Sequence, residues 1–311
     1  MGSYPTPPSP HGQRSVHEDP DFAPAILPPD AGYAPPPPVR RPRPYWAVAP
    51  ATYVLVGINC AVFLAMAANH AGFWSPSPDL LMHWGANNAG SVLVQGQWWR
   101  IVTAMFVHVG IIHLATNMWC LWNLGLLAEP LLGSAGMVEV YILTGAAGNL
   151  LSTLYNWWTN YADWTRYHAE WAGHHALGEV FDPTFVFPPG AGASGAVFGI
   201  AGALIILLKS NRLPVPTVEL RRLRRSVIYF AAINLVIPFA FNFGASAMHA
   251  GLRIDWAAHL GGVTCGLLFA VPLVPRLGSP RPVFETRLRI AVAMVVGILV
   301  LFGFYLTKLP G

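Results

Sequence analysis

Charged residues are scarce in this sequence of 311 residues. Asp, Glu, Lys and Arg together make up 10% of the chain and hydrophobic residues 54%, whereas a soluble domain carries about 25% charged residues. This composition argues against a soluble protein and favours a lipid bilayer as the surroundings. The Lys and Arg residues form no stripe interleaved with aromatic residues, so we expect no nucleic-acid partner.

Cysteine is also rare, with three residues in the whole chain. Cys60, Cys120 and Cys265 all lie in apolar segments, which excludes a disulfide framework and a cysteine-based zinc site. We also expect no metal and no organic cofactor.

Proline is unevenly distributed. Fourteen of the 29 prolines precede residue 45, including the run 35–38. An apolar core cannot form in such a stretch, so residues 1–45 are predicted to be a disordered or polyproline-like tail. The tail could be a ligand for an SH3-type domain or a simple tether. We favour the tether, and its partner is unknown.

After the tail, uncharged apolar runs recur at lengths that fit the roughly 20 residues needed to cross hydrocarbon. They predict an all-α, polytopic membrane helix bundle. We expect a six-helix core over residues 46–276, followed by a linker and a seventh transmembrane helix over 277–311. The predicted spans are 48–68, 110–130, 137–157, 192–208, 227–243, 256–273 and 290–306.

The positions of Lys and Arg predict the orientation, because cytoplasmic loops are rich in these residues. Fourteen of the eighteen fall on one side of seven alternating helices. We therefore expect a cell-membrane protein with a cytoplasmic N-terminus and an outer C-terminus. The outer segments are then 69–109, 158–191 and 244–255. We expect 69–109 to be a partly embedded hairpin, with Trp98, Trp99 and Arg100 as an anchor at headgroup depth.

Four polar residues lie where the bilayer should be apolar, namely His113, Asn117, Ser194 and His259. Polar groups at membrane depth are costly and are candidates for function. Taken singly, Ser194 could be a packing residue and Asn117 could join two helices. Taken together, Ser194 and His259 share one level, near the outer ends of parallel helices. The i, i+4 spacing places His113 and Asn117 on one helix face.

Two stripes of small residues predict that the helices of Ser194 and His259 cross closely. Gly195, Gly199 and Gly202 follow the serine, and Gly262 and Gly266 follow the histidine. A close crossing would bring the serine hydroxyl to the imidazole, which can act as its general base. An oxyanion could be stabilised by His113, Asn117 and the backbone N–H of Ser194. Because Asp255 fits a helix N-cap better than a catalytic acid, we expect a dyad.

At this point the sequence resembles the rhomboid family of intramembrane serine proteases, over about residues 50–275. The resemblance implies that Ser194 is the nucleophile, that His259 is the base and that His113 and Asn117 belong to the oxyanion hole. It also implies a six-helix core, and the helix at 290–306 then matches the six-plus-one subtype. The motifs that carry it, in chain order, are Trp99-Arg100, His113-x-x-x-Asn117, Gly192-x-Ser194-Gly195, and Ala258-His259 with Gly262 and Gly266.

Three positions bear on how far the resemblance extends. Phe198 stands where many members carry tyrosine, and we expect its ring still to pack on His259. The outer segment 158–191 is longer than is usual in the family. Its histidines, His168, His174 and His175, suggest either a metal site or a substrate-binding cap, but an amphipathic loop resting at the interface is favoured. Glu129 looks like the family's structural acid and is not expected to be catalytic.

The leading hypothesis is a protease that cleaves single-span membrane proteins near the outer membrane surface. Its substrate should unwind easily and offer a small residue at the cut, because a hydrogen-bonded helix shields its amides. One alternative is a non-catalytic relative that binds transmembrane helices in quality control. Another is a transporter with His113, Asn117 and His259 along a polar path, which the single shallow level of the polar groups disfavours.

Overall fold

A computed structural model of the chain describes residues 48–174, 182–210, 212–213, 215–247, 255–274 and 277–309. Within these residues the structure is helical, with one isolated antiparallel bridge between Asn87 and Gly190 and no longer strand. The all-α prediction is confirmed. The predicted proline-rich tail, residues 1–45, lies outside the described residues.

Helix α1 (Pro50–Met66) continues into a π-helical turn, Ala67–Ala71. Its first amides are satisfied by the buried side chain of Glu129, which accepts from Ala51 N at 2.9 Å and from Thr52 N at 2.7 Å. The same carboxylate accepts from the hydroxyls of Thr52 at 2.7 Å and Ser134 at 2.6 Å. Glu129 thus binds donors that a helix start leaves unpaired, which is the structural role expected for it.

Helix α2 (Ile111–Thr159) is bent into two arms. Gly133, with φ 76° and ψ 164°, is non-helical, and Pro130 lies three residues before it, where a missing N–H weakens the helix. We call the parts before and after Gly133 the first and second arms. They correspond to the predicted spans 110–130 and 137–157, and α2 starts immediately after Gly110, as expected.

Helices α4 (Ser194–Leu207) and α6 (Trp256–Ala270), both apolar, form the centre of the bundle. They contact each other more extensively than any other pair of elements in the described part of the chain, and both pack on α2. A helix without a polar face is expected in such a central position.

Helices α5 (Thr217–Ala247) and α7 (Arg281–Leu306) lie at the periphery. Large apolar side chains on both are exposed: Tyr229, Ile233, Val236, Ile237, Ile298, Val300, Leu301 and Phe304. Such surfaces suit contact with lipid. By length and composition α1 with its extension, α2 and α7 can cross a membrane, and α4 and α6 are shorter apolar helices.

Helix α5 starts ten residues before the predicted span 227–243. The additional turns contain Arg221, Arg222, Arg224 and Arg225, so an apolar run could not reveal them. Arginine and leucine are nevertheless good helix formers. The basic stretch predicted as an inner loop is therefore largely a helical extension of α5.

The outer segments also contain more regular structure than predicted. Between α1 and α2 lie the helix Pro78–His83, the π-helical turn Gly90–Val94 and the helix Arg100–Thr103. The segment 158–191, predicted as an amphipathic loop, contains α3 (Tyr161–His174) and the 3₁₀ turn Pro183–Val186. Trp157 and Trp164, whose rings lie 5.5 Å apart, both pack on Phe187. Trp157 lies on α2 and Trp164 on α3, so this aromatic cluster packs α3 against the end of α2.

Candidate active site

Ser194 is the first residue of α4 and is half-buried. The preceding Gly192 has φ 130°, and a side chain there would collide with the His113 ring. The N-cap is Ala193, whose side chain cannot cap the helix. The first amides of α4 therefore have no partner within their own helix. Donors that point outward at a helix N-terminus favour negative charge, as an oxyanion beside Ser194 would require.

The segment before Ser194 is fixed by backbone hydrogen bonds to the outer loop. Asn87 and Gly190 exchange two bonds of 2.7 Å, and Gly192 N donates to Ala104 O at 3.0 Å. The side chain of Asn87 continues the link to the second arm of α2, donating to Asn149 O at 3.1 Å. The serine is thus held by two elements besides its own helix.

The predicted glycine stripes are where α4 and α6 meet. A side chain on Gly262 would collide with the carbonyl oxygen of Gly195, and one on Gly266 with that of Gly199. On the other side, the Cα of Gly148 in the second arm of α2 also approaches Gly195. Glycine at these positions lets backbones touch, which places the starts of α4 and α6 side by side.

His259 is buried, with 7% of its surface exposed. Its ring stacks on Phe198, with centroids 4.2 Å apart and planes 9° apart, so the expected packing of Phe198 is present. His259 Nδ1 lies 3.3 Å from the carbonyl oxygen of Asn234 on α5. Because a carbonyl can only accept, this contact requires Nδ1–H, and Nε2 then carries the lone pair that a general base needs.

His113 and Asn117 lie on one face of the first arm of α2. The His113 ring borders Gly192, two residues before Ser194. Asn117 is buried and donates through Nδ2 to His113 O at 2.9 Å, which leaves its second amide hydrogen available. Both side chains that the sequence predicted as oxyanion donors are therefore on the helix facing the serine segment.

Asp255 is the N-cap of α6, as the sequence predicted. Its side chain accepts from Ala258 N at 3.0 Å and from Ser152 Oγ. Asn156 Nδ2 in turn donates to Ser152 Oγ at 3.2 Å. The carboxylate is therefore committed to the helix terminus and to the second arm of α2.

Arg100 differs from the headgroup anchor that the sequence suggested. It is buried, and its Nη1 donates to Met82 O at 2.7 Å and to Ala86 O at 3.0 Å. Trp99 remains half exposed, beneath the guanidinium at 4.5 Å. Arg100 thus binds carbonyls at the end of the helix Pro78–His83 and three residues beyond it.

The histidines of the long outer segment form no recognisable metal site in the described part of the chain. No group of three potential ligands occurs among the residues that the structure describes. His168 packs on Trp164 with ring centroids 5.5 Å apart. His175 and the side chain of His174 lie outside the described structure, so the alternative of a metal site has no support among the described residues.

Sequence reasoning missed His108, which is fully buried with its ring 5.4 Å from that of His113. It also missed the polar contacts of Asn87, Asn149 and Ser152. His108 lies in the same apolar segment as His113, five residues earlier, and that proximity was the available signal. The other three are small polar residues whose partners are distant in sequence, so no local pattern marks them.

Comparisons with known proteins agree on one family. A family model described as the Rhomboid domain matches residues 95–276. The chain is 31% identical over 252 residues to "Rhomboid protease GluP" of Bacillus subtilis, covering 80% of this chain and 39% of that protein. It is 28% identical over 226 residues to "Rhomboid protease AarA" of Providencia stuartii, covering 72% of each. It is 27% identical over 236 residues to "RHOMBOID-like protein 9, chloroplastic" of Arabidopsis thaliana, covering 74% of this chain and 44% of that protein.

Proposed function

Because this chain belongs to the rhomboid family and is a multi-pass membrane protein, we propose that it is an intramembrane serine endopeptidase with Ser194 as nucleophile and His259 as general base. The observation that carries the proposal is the packing and hydrogen bonding of the His259 ring. Its ring is stacked on Phe198, one turn after Ser194, and its Nδ1 faces a carbonyl. The nitrogen left with a lone pair can accept the serine proton.

The proposed reaction follows from the polarity around Ser194. The hydroxyl attacks a substrate carbonyl while His259 takes its proton, and the same proton is then given to the leaving amine. Charge on the carbonyl oxygen would be stabilised by Ser194 N–H, His113 and Asn117, where fixed donors in a water-poor site are most effective. Water then hydrolyses the acyl-enzyme.

The proposed substrates are single-span proteins whose transmembrane segment unwinds near the outer surface and carries a small residue at the cut. A regular helix hides its amides in hydrogen bonds, so unwinding must precede attack. The proposed orientation, with a cytoplasmic N-terminus, rests on the Lys and Arg bias of the sequence and makes the dyad accessible from outside.

The test is cleavage of a panel of single-span substrates by the full chain in liposomes, combined with labelling by a fluorophosphonate probe. We expect wild type to cleave and to be labelled at Ser194 alone. Ser194→Ala should abolish both signals without lowering the unfolding temperature. His259→Ala should also abolish both signals, measured well below its unfolding temperature, because truncating a buried ring destabilises the fold. The matched controls are Ser226→Ala and His83→Ala, exposed residues of α5 and the outer loop, which should match wild type.

Two results would contradict the proposal. Equal cleavage by Ser194→Ala would show that the serine is not the nucleophile. Failure of wild type to cleave or to be labelled, together with retention of transmembrane peptides, would favour the alternative of a non-catalytic protein that binds helices.

A further inference from the structure

Two neighbouring imidazoles each hold a buried nitrogen without a hydrogen-bond partner. His108 lies in the loop before α2 and is 0% exposed, and its ring centroid is 5.4 Å from that of His113, with planes 55° apart. The nitrogens without a partner are His108 Nε2 and His113 Nδ1. Buried polar atoms are nearly always paired, so this pair calls for an explanation.

The position of the proton on His108 follows from its other nitrogen. Nδ1 lies 3.3 Å from the carbonyl oxygen of Phe106, which can only accept, so Nδ1 carries the hydrogen. Burial lowers the pKa of His108 to about 3, so the ring stays neutral. His108 Nε2 therefore presents a lone pair to its surroundings and cannot donate to His113.

The Cε1 edge of the His113 ring faces the serine segment, and of its two nitrogens Nε2 lies nearer to Gly192 than Nδ1 does. To donate to an oxyanion there, Nε2 must carry the hydrogen of the neutral ring. His113 Nδ1 would then present a second buried lone pair beside His108. Two lone pairs cannot satisfy each other, and a group that donates twice is required.

A single water molecule meets this requirement, because it has two hydrogens and buried waters commonly bridge such polar groups. Two hydrogen bonds of about 2.9 Å span up to roughly 5.5 Å between nitrogens, which the ring separation permits. We propose that His108 is a positioning residue that holds His113 in its Nε2–H tautomer, through a water molecule donating to His108 Nε2 and His113 Nδ1. The catalytic consequence rests on the proposed function.

Nitrogen-15 NMR of the full chain, labelled at histidine and held in nanodiscs, tests the tautomer without any measurement of activity. We expect a wild-type His113 resonance, assigned by its loss in His113→Asn, with hydrogen on Nε2. Two variants test the roles of the two His108 nitrogens one at a time. His108→Asn keeps a donor near Phe106 O but has nothing at the position of Nε2. His108→Gln keeps a polar amide at the position of Nε2.

His108→Asn should leave His113 in a mixture of tautomers and lower kcat about 10- to 100-fold with KM little changed, because the lost donor acts in the transition state. His108→Gln should preserve the Nε2–H signal and most of the rate. His83→Asn, in the same outer loop but exposed, should match wild type in both measurements. A role of His108 in structure alone would instead lower the unfolding temperature and leave the tautomer intact.

Wild-type tautomer and kcat in His108→Asn would overturn the proposal, and so would loss of the Nε2–H signal in a folded His108→Gln. If His108→Asn does not fold, the Gln variant decides. Absence of cleavage in wild type would contradict the proposed function alone, since the NMR measurement still decides the tautomer.

Discussion

Replacing Glu129 with glutamine tests whether one buried carboxylate holds the start of α1 to the bend of α2. In wild type Oε1 accepts from Ala51 N and Ser134 Oγ, and Oε2 accepts from Thr52 N and Thr52 Oγ1. A glutamine can place its oxygen beside the two Thr52 donors. Its NH2 group then faces Ala51 N–H, and two donors cannot pair, although the Ser134 hydroxyl can rotate to accept.

Glu129→Gln therefore loses one buried backbone hydrogen bond, and the hydrogen bonds that remain are made to a neutral group instead of a charged one. Leaving a buried donor unsatisfied costs about 1–3 kcal/mol, and hydrogen bonds to a charged group contribute about 1.5–3 kcal/mol against about 1 for neutral ones. We expect Glu129→Gln to lower the free energy of unfolding by about 2–4 kcal/mol, with an unfolding temperature lower by at least about 4 °C.

The assay is thermal unfolding in detergent followed by tryptophan fluorescence, with cleavage measured well below the transition. Glu139→Gln is the matched control, because Glu139 Oε2 is a buried atom without a hydrogen-bond partner. The control should be neutral or slightly stabilising. Equal unfolding temperatures for Glu129→Gln and wild type would refute the reasoning, and a large loss of rate in the folded Glu129 variant would contradict its purely structural role.

Three further substitutions address the site itself. Gly262→Val forces a side chain into the carbonyl of Gly195 and should cost more than the roughly 1–3 kcal/mol of ordinary overpacking, whereas Gly297→Val, with open space around it, should leave the unfolding temperature unchanged. Phe198→Leu removes the stacking on His259 and should lower kcat about 2- to 10-fold, while Phe198→Tyr should keep the wild-type kcat. Equal kcat values for wild type and both variants would contradict a role of the stacked ring. Asn117→Ala should lower kcat by a factor on the order of 10 to 1,000 with an unchanged KM, and a change confined to KM would exclude a donor acting in the transition state.

The helices of the core were predictable because each is an uncharged apolar run that ends at a charged or glycine-rich stretch, even where, as in α4 and α6, the helix is short. The same argument fails for α5, whose first turns are basic, and for α3, which contains charged residues and packs through Trp164 on Trp157 of α2. The bend at Gly133 was predicted only as a gap between two spans, because a single glycine in sequence does not reveal its φ.

The candidate site was predictable in part because Ser194, His259 and their glycine stripes are local patterns. The partners of these residues are not local. The carbonyl of Asn234, which faces His259 Nδ1, is a backbone group that every residue possesses, so no sequence pattern can mark it. The same holds for Arg100, whose guanidinium binds carbonyls at Met82 and Ala86 rather than headgroups.

The hydrogen-bond acceptor at His259 Nδ1 distinguishes the proposed dyad from a Ser-His-Asp triad. A triad supplies a carboxylate there, which orients the imidazole and stabilises the charge it gains. In this chain the nearby acid, Asp255, is engaged at the start of α6, and the acceptor is a neutral carbonyl on α5. Contacts of α5 with α4 and α6 are far less extensive than those between α4 and α6. The orientation of the base therefore depends on the position of a peripheral helix, because a displacement of α5 would remove the acceptor that fixes the His259 tautomer while leaving Ser194 in place.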